Sequence, residues 1–166
     1  GVRRLAGAGF TLVVVSNQSG VARGYFPEAA LGEVEAKLRG LLEAAGGRLD
    51  AFYYCPHHPD GSVPPYNVEC GCRKPAPGML LRAGRDLGID LSRSWLIGDI
   101  LNDVEAGRRA GCRTILIDNG NETEWLGGPD REPHHVARDL AHAADLIAGQ
   151  IGDAAAPAPP FTGEDA

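Results

Sequence analysis

Three cysteines and two histidines crowd one stretch of this chain: Cys55, His57, His58, Cys70 and Cys72. Three thiolates and one imidazole are a complete tetrahedral donor set for Zn²⁺, and a closed Cys₃His site keeps no position open for substrate, so its role is structural. Cys55, His57, Cys70 and Cys72 are the expected ligands, with His58 as an alternative to His57. The spacings C-x-H and C-x-C are tighter than the usual C-x₂₋₄-C. Free thiols, a disulfide or merely solvated histidines therefore remain open on the pattern alone. Cys112, between Gly111 and an apolar run, reads as a buried core thiol.

Three further segments could act on an oxyanion. Ser16-Asn17-Gln18-Ser19-Gly20 follows an apolar run directly and offers two hydroxyls, two amides and exposed backbone N–H groups, with Arg23 nearby. Such groups suit a phosphate, although an ordinary polar turn would look the same. There is no Walker A pattern. Arg73-Lys74 places two cations just before Pro75. Lys74 is a compact charge able to pair with a phosphate or a carboxylate, or simply a surface lysine. In GDILND, Asp99 and Asp103 lie four residues apart after Gly98. Carboxylates leaving a strand tip at that spacing commonly hold Mg²⁺. Helix N-capping by Asp99 or Asn102 is the plainer alternative.

The elements that must position these residues can be read from periodicity. FTLVVVS (10–16) is a continuous β-branched run, which predicts a strand buried on both faces. A helix is expected from Pro27, with Leu31, Val34, Leu38, Leu41, Leu42 and Ala45 on one face and Gly46-Gly47 as its stop. AFYYC (51–55) is a second strand. A loop over 56–76 is long enough to need something holding it. A helix from Pro77 carries Leu80, Ala83 and Leu87 and stops at Gly88. SWLIGD (94–99) is a third strand, a short helix follows to Gly111, and RTILID (113–118) is a fourth strand. Residues 136–151 read as an amphipathic helix. The Pro/Ala-rich stretch 152–166 reads as a disordered tail, leaving 1–151 as one domain. Strands alternating with helices predict an α/β fold on a parallel sheet. Ser16, Cys55, Asp99 and Asp118 would then share its carboxyl rim, where ligands bind in open sheets.

The 166 residues carry a net charge of −6 with no basic block, which argues against nucleic-acid binding. No apolar run approaches membrane-spanning length. Four cysteines without a secretion signal point to a reduced, cytoplasmic setting.

Together the segments resemble the haloacid dehalogenase (HAD) superfamily of phosphohydrolases. That family has a Ser or Thr at one strand end (Ser16), a Lys (Lys74) and an acidic pair of the form GDxxxD (Asp99, Asp103). More closely, VVVSNQSGVARGYF, YYCPHHP, CGCRKPAPGMLLRA and SWLIGDILNDVEAGRRAG resemble the D-glycero-D-manno-heptose 1,7-bisphosphate phosphatases and their histidinol-phosphatase relatives. The resemblance runs from about residue 1 to 150. It implies a HAD-like sheet with helices on both faces, a zinc-stapled loop, and a magnesium-dependent phosphatase acting on a small sugar phosphate as a monomer. Ser16, Asn17, Gln18 and Ser19 would bind the phosphoryl group. Arg73 would recognise substrate, Lys74 would neutralise developing charge, Asp99 would ligate Mg²⁺ and Asp103 would support it. Zn²⁺ would sit on Cys55, His57, Cys70 and Cys72.

One family motif is missing. No D-x-D occurs in the sequence, and in the family that motif supplies the nucleophile and the general acid/base from a strand preceding a helix like GVRRLAGAG. The expectation is of a chain lacking its first strand, with a gap in the sheet and no catalytic nucleophile. A zinc-stabilised, inactive phosphosugar-binding module is the non-enzymatic alternative. Histidinol phosphate is a rival substrate, and a DNA 3′-phosphatase is a third reading. Ile100, where relatives often carry a polar residue, bears on fine substrate preference.

Overall fold

The computed structural model describes residues 1–122 and 125–154, with the side chains of the last four outside the description. Among the described residues five α-helices and five strands alternate along the chain, except that β5 follows β4 directly. Helix α1 is Val2–Gly7, strand β1 Val13–Asn17, helix α2 Leu31–Ala44 and strand β2 Ala51–Cys55. Helix α3 is Gly78–Leu87, strand β3 Trp95–Gly98, helix α4 Leu101–Arg109 and strand β4 Arg113–Ile117. Strand β5 is His135–Ala137 and helix α5 Leu140–Ala154.

All strand pairing is parallel, as the alternation predicts, but it falls into two sheets. β1 pairs with β2, matching Val15 to Tyr53 and Asn17 to Cys55. β3, β4 and β5 form the second sheet in that order, with Ile97 opposite Ile115 and Ile117 opposite Ala137. Between β1 and β3 lies a slot of about 310 Å³, lined by Leu12, Val13, Val15, Trp95 and Ile97 and reached by Lys74. The gap expected in the sheet corresponds to this slot. It also corrects one reading: β1 is half-buried along its whole length rather than buried on both faces. The β-branched run that signalled a central strand is open on the slot side. β4, by contrast, buries Thr114, Ile115 and Leu116.

The main core gathers Leu5, Ile115, Ala137, Ala143, Ala144 and Ile147, where α1 and α5 cover the three-stranded sheet. Leu101 and Val104 of α4 pack on Leu116. α3 buries Met79, Leu80 and Ala83 and ends at Gly88, whose φ of 65° is the left-handed value that favours glycine. Two expected faces are narrower than their periodicity suggests. Val34 and Leu41 of α2, and Leu87 of α3, are exposed.

The far end of the domain departs further. Residues 135–137 are a strand, not the start of the helix expected over 136–151. A three-residue strand is too short to show a period of two, and its pairing with β4 is a tertiary event. α5 runs to Ala154, into the expected tail; residues 155–166 lie outside the described residues. No helix of the described residues is long and apolar enough to cross a membrane.

Candidate active site and metal centre

The carboxyl ends of β1, β2 and β3 converge, and each delivers a functional group. Gly98 ends β3 because nothing larger fits: a Cβ there would lie 2.2 Å from Asp103 Cβ. That contact lets α4 fold back over the strand tip, so Asp99 N donates to Asp103 Oδ2 at 3.2 Å. Asp103 is buried, at 5% exposure. Its Oδ1 makes no directed hydrogen bond but lies 2.6 Å from Lys74 Nζ. The ammonium also donates to Val15 O at 3.0 Å. Lys74 therefore bridges β1 to α4 across the mouth of the slot, in a poorly solvated setting where charge pairing is strengthened.

Asn17 holds that lysine in place. Its Nδ2 donates to Lys74 O at 3.0 Å and its Oδ1 accepts from Lys74 N at 2.9 Å. The carboxamide thus pairs with the lysine backbone as a neighbouring strand would. Any phosphoryl contact from this residue is left to its backbone. Gln18 Nε2 donates to Ser16 Oγ at 2.8 Å, and Gln18 N donates to Cys55 O at 2.8 Å. Ser16 and Gln18 are thereby set beside the metal loop. Ser19 accepts at its carbonyl from Arg23 N at 3.0 Å, closing the turn. Arg73 Nη1 donates to His57 O at 3.4 Å.

Cys55, His57, Cys70 and Cys72 meet with their ligand atoms all within 4.8 Å, the only group of three or more such donors among the described residues. The three Sγ–Sγ distances are 3.1, 3.2 and 3.4 Å. His57 Nδ1 lies 3.5 Å from Cys72 Sγ and 3.7 Å from Cys55 Sγ. A disulfide needs about 2.05 Å, and all four cysteines are free. A Zn²⁺ with Zn–S bonds of about 2.3 Å sets sulfurs about 3.8 Å apart. The donor set fits such an ion with a small expansion. Burial pushes the Cys55 thiol well above its ordinary range. Burial also opposes ionisation of Cys70, yet hydrogen bonds from Cys72, the Arg73 backbone and Cys55 outweigh it and bring that thiol down to about 7. Cys72, also penalised by burial, is raised.

His58 is not part of the cluster. Its Nε2 faces Arg23 Nη2 at 3.1 Å and its Nδ1 accepts from Asp60 N at 3.2 Å. Burial lowers its pKa, and so do the charges of Arg73 and Arg23. Those two guanidinium groups thus share one patch beside the metal loop. Cys112 is a buried core thiol, as expected, and burial pushes it up to about 11. The loop is further fastened by Glu28, which accepts from Tyr54 Oη at 3.0 Å and Tyr66 Oη at 2.6 Å.

One segment escaped the sequence reading. The loop after β4 returns to the rim, where Asn121 Nδ2 donates to Asp99 Oδ2 at 2.7 Å. Glu122 Oε2 accepts from Leu101 N at 2.6 Å, capping α4. Nothing in DNGNE marks it as more than a polar turn. Asp118, also nominated for the rim, donates its backbone N–H to Ala137 O.

Comparison with known proteins shows the family. Residues 71–143 match the HAD-hydrolase-like family. The chain is 41% identical over 146 residues to a D-glycero-beta-D-manno-heptose-1,7-bisphosphate 7-phosphatase of Pseudomonas aeruginosa, covering 88% of this chain and 78% of that one. It is 46% identical over 153 residues to the Escherichia coli protein of the same name, covering 92% and 73%. A crystal structure of a D,D-heptose 1,7-bisphosphate phosphatase from B. bronchiseptica, complexed with magnesium and phosphate, superposes with a TM-score of 0.75. Its identity is 36%, over 90% of this chain and 80% of that one. At 41% and 46% identity to relatives that it covers over more than two thirds of their length, the chain belongs to the D-glycero-beta-D-manno-heptose-1,7-bisphosphate 7-phosphatase family of HAD-like hydrolases.

Proposed function

We propose that this chain carries the phosphate-binding and metal-binding face of a phosphatase that removes the 7-phosphate of D-glycero-D-manno-heptose 1,7-bisphosphate. The observation that carries this reading is the placement of Lys74 Nζ between Val15 O and the buried carboxylate of Asp103. A cation fixed on both sides is preorganised for a phosphoryl group's developing charge, and it needs no rearrangement at the moment of reaction.

Ser16, the residue after the Val15 carbonyl that accepts from Lys74 Nζ, would offer its hydroxyl to the phosphoryl oxygens, with the backbone of Asn17, Gln18 and Ser19 continuing the cradle. Asp99 would hold Mg²⁺. Asp103 fits a supporting role, because one of its oxygens faces Lys74 and the other accepts from Asp99 N. Such an ion would supply charge neutralisation on the phosphoryl oxygens. Arg73 and Arg23, which meet around His58, would face the phosphate that is retained, which favours a bisphosphate over histidinol phosphate. Zn²⁺ on Cys55, His57, Cys70 and Cys72 would hold Arg73 and Lys74 toward the site, in a reducing cytoplasmic setting.

In the family a D-x-D carboxylate attacks phosphorus to give an aspartyl-phosphate, which water then hydrolyses. No D-x-D is present among these 166 residues, so what they contribute is binding and polarisation of the substrate. Calorimetry with the heptose bisphosphate and Mg²⁺ tests that contribution. Binding should exceed that of histidinol phosphate. Lys74→Ala should weaken it about tenfold or more, the cost of losing one charge-assisted contact. Tighter binding of histidinol phosphate, or unchanged affinity in Lys74→Ala, would overturn the reading.

A further inference from the structure

We propose that Asn121 is a positioning residue for the metal carboxylate: it occupies one oxygen of Asp99 and so selects the other to face the cation. The proposal rests on the reading of Asp99 as the Mg²⁺ ligand.

Asp99 follows Gly98 at the end of β3, where strand pairing has stopped. Asn121 Nδ2 donates to its Oδ2 at 2.7 Å. With that oxygen taken, Oδ1 is the donor left for an ion. The neighbouring Asp103 has both of its oxygens directed elsewhere, at Lys74 and at Asp99 N. The geometry therefore gives the pair different roles that the sequence spacing does not distinguish.

The loop carrying Asn121 is held by more than this one bond. Gly120, at a φ of 86° that favours glycine, turns the chain back. Asn119 Oδ1 accepts from Asn121 N at 3.2 Å. Glu122 caps Leu101 N at the first turn of α4. Arg131 Nη2 donates to Asn102 Oδ1 at 2.7 Å, and its buried Nε lies 3.5 Å from Glu105 Oε2. Glu105 is itself buried and also pairs with Arg109 at 2.6 Å. Glu122, the residue after Asn121, thus ties the chain to the first turn of α4, and α4 begins shortly after Asp99. A neutral amide suits this role, because it orients the carboxylate without cancelling the charge that a cation needs. Partners of this kind, one shell beyond the ion, typically contribute about ten- to a hundredfold in metal affinity.

The proposal is tested by Mg²⁺ titration in a calorimeter, repeated with Mn²⁺ by electron paramagnetic resonance, on the whole chain in the presence of inorganic phosphate. Asn121→Ala should bind both ions about tenfold more weakly, with an unchanged melting temperature and unchanged zinc content. Arg131→Gln, which loosens the loop without touching Asp99, should weaken binding in the same direction. Wild-type affinity in Asn121→Ala, alongside loss of binding in Asp99→Asn, would overturn the role of Asn121 alone. Wild-type affinity in Asp99→Asn would overturn the metal reading and this proposal together.

Discussion

Asn17 and Lys74 carry the site at the level of single residues. Asn17 looks like one more polar group in a phosphate loop, yet both ends of its carboxamide are spent on the Lys74 backbone. Two part-buried hydrogen bonds contribute about 0.5–1.5 kcal/mol each. Asn17→Ala should therefore lose about 1–3 kcal/mol in urea unfolding and should weaken phosphate binding through the displaced lysine. A variant within about 0.5 kcal/mol of the parent would show that the clamp does not hold Lys74.

Among elements, the excursion between β2 and α3 has the most to gain from a metal. Residues 56–76 contain no helix or strand. They are gathered at both ends by Cys55, His57, Cys70 and Cys72 and in the middle by the Glu28 carboxylate. Binding an ion there offsets the entropy of closing the loop. The purified chain should carry about one zinc per molecule. Removing it with a strong chelator should lower the melting temperature and open 56–72 to proteolysis, and Cys72→Ser should behave the same way. A metal-free preparation with the parent's melting curve and protease resistance would refute a structural role.

For the molecule as a whole, the slot between β1 and β3 dominates. Half-buried apolar strands on both of its walls leave ladder groups and side chains facing a gap of about 310 Å³. Unpaired edges of this kind invite association, and lost burial costs about 25 cal/mol per Å² of apolar surface. The chain should bind a hydrophobic dye such as ANS and associate as its concentration rises. A protein that stays monomeric and ignores the dye would contradict this.

Much was legible from the amino-acid order. Apolar runs, β-branched in β1 and aromatic in β2, located β1 to β4 within a few residues, and stop glycines at 88 and 111 closed α3 and α4 where their positive φ favours glycine. The alternation of strand and helix gave parallel pairing, and the types of Cys55, His57, Cys70 and Cys72 singled out the four residues that the fold gathers into one cluster. These features are local: each depends on a residue's own conformational preference or on donors whose chemistry admits few alternatives. The rest is set by packing between distant segments. β5 exists because His135–Ala137 lies along β4, which a three-residue run cannot announce. Asn17 became a clamp, and Asp99 was distinguished from Asp103, only when Lys74 crossed the slot and Asn121 came back to the rim. Which oxygen is spoken for depends on chain segments 22 to 59 residues apart, and sequence spacing carries no record of such meetings.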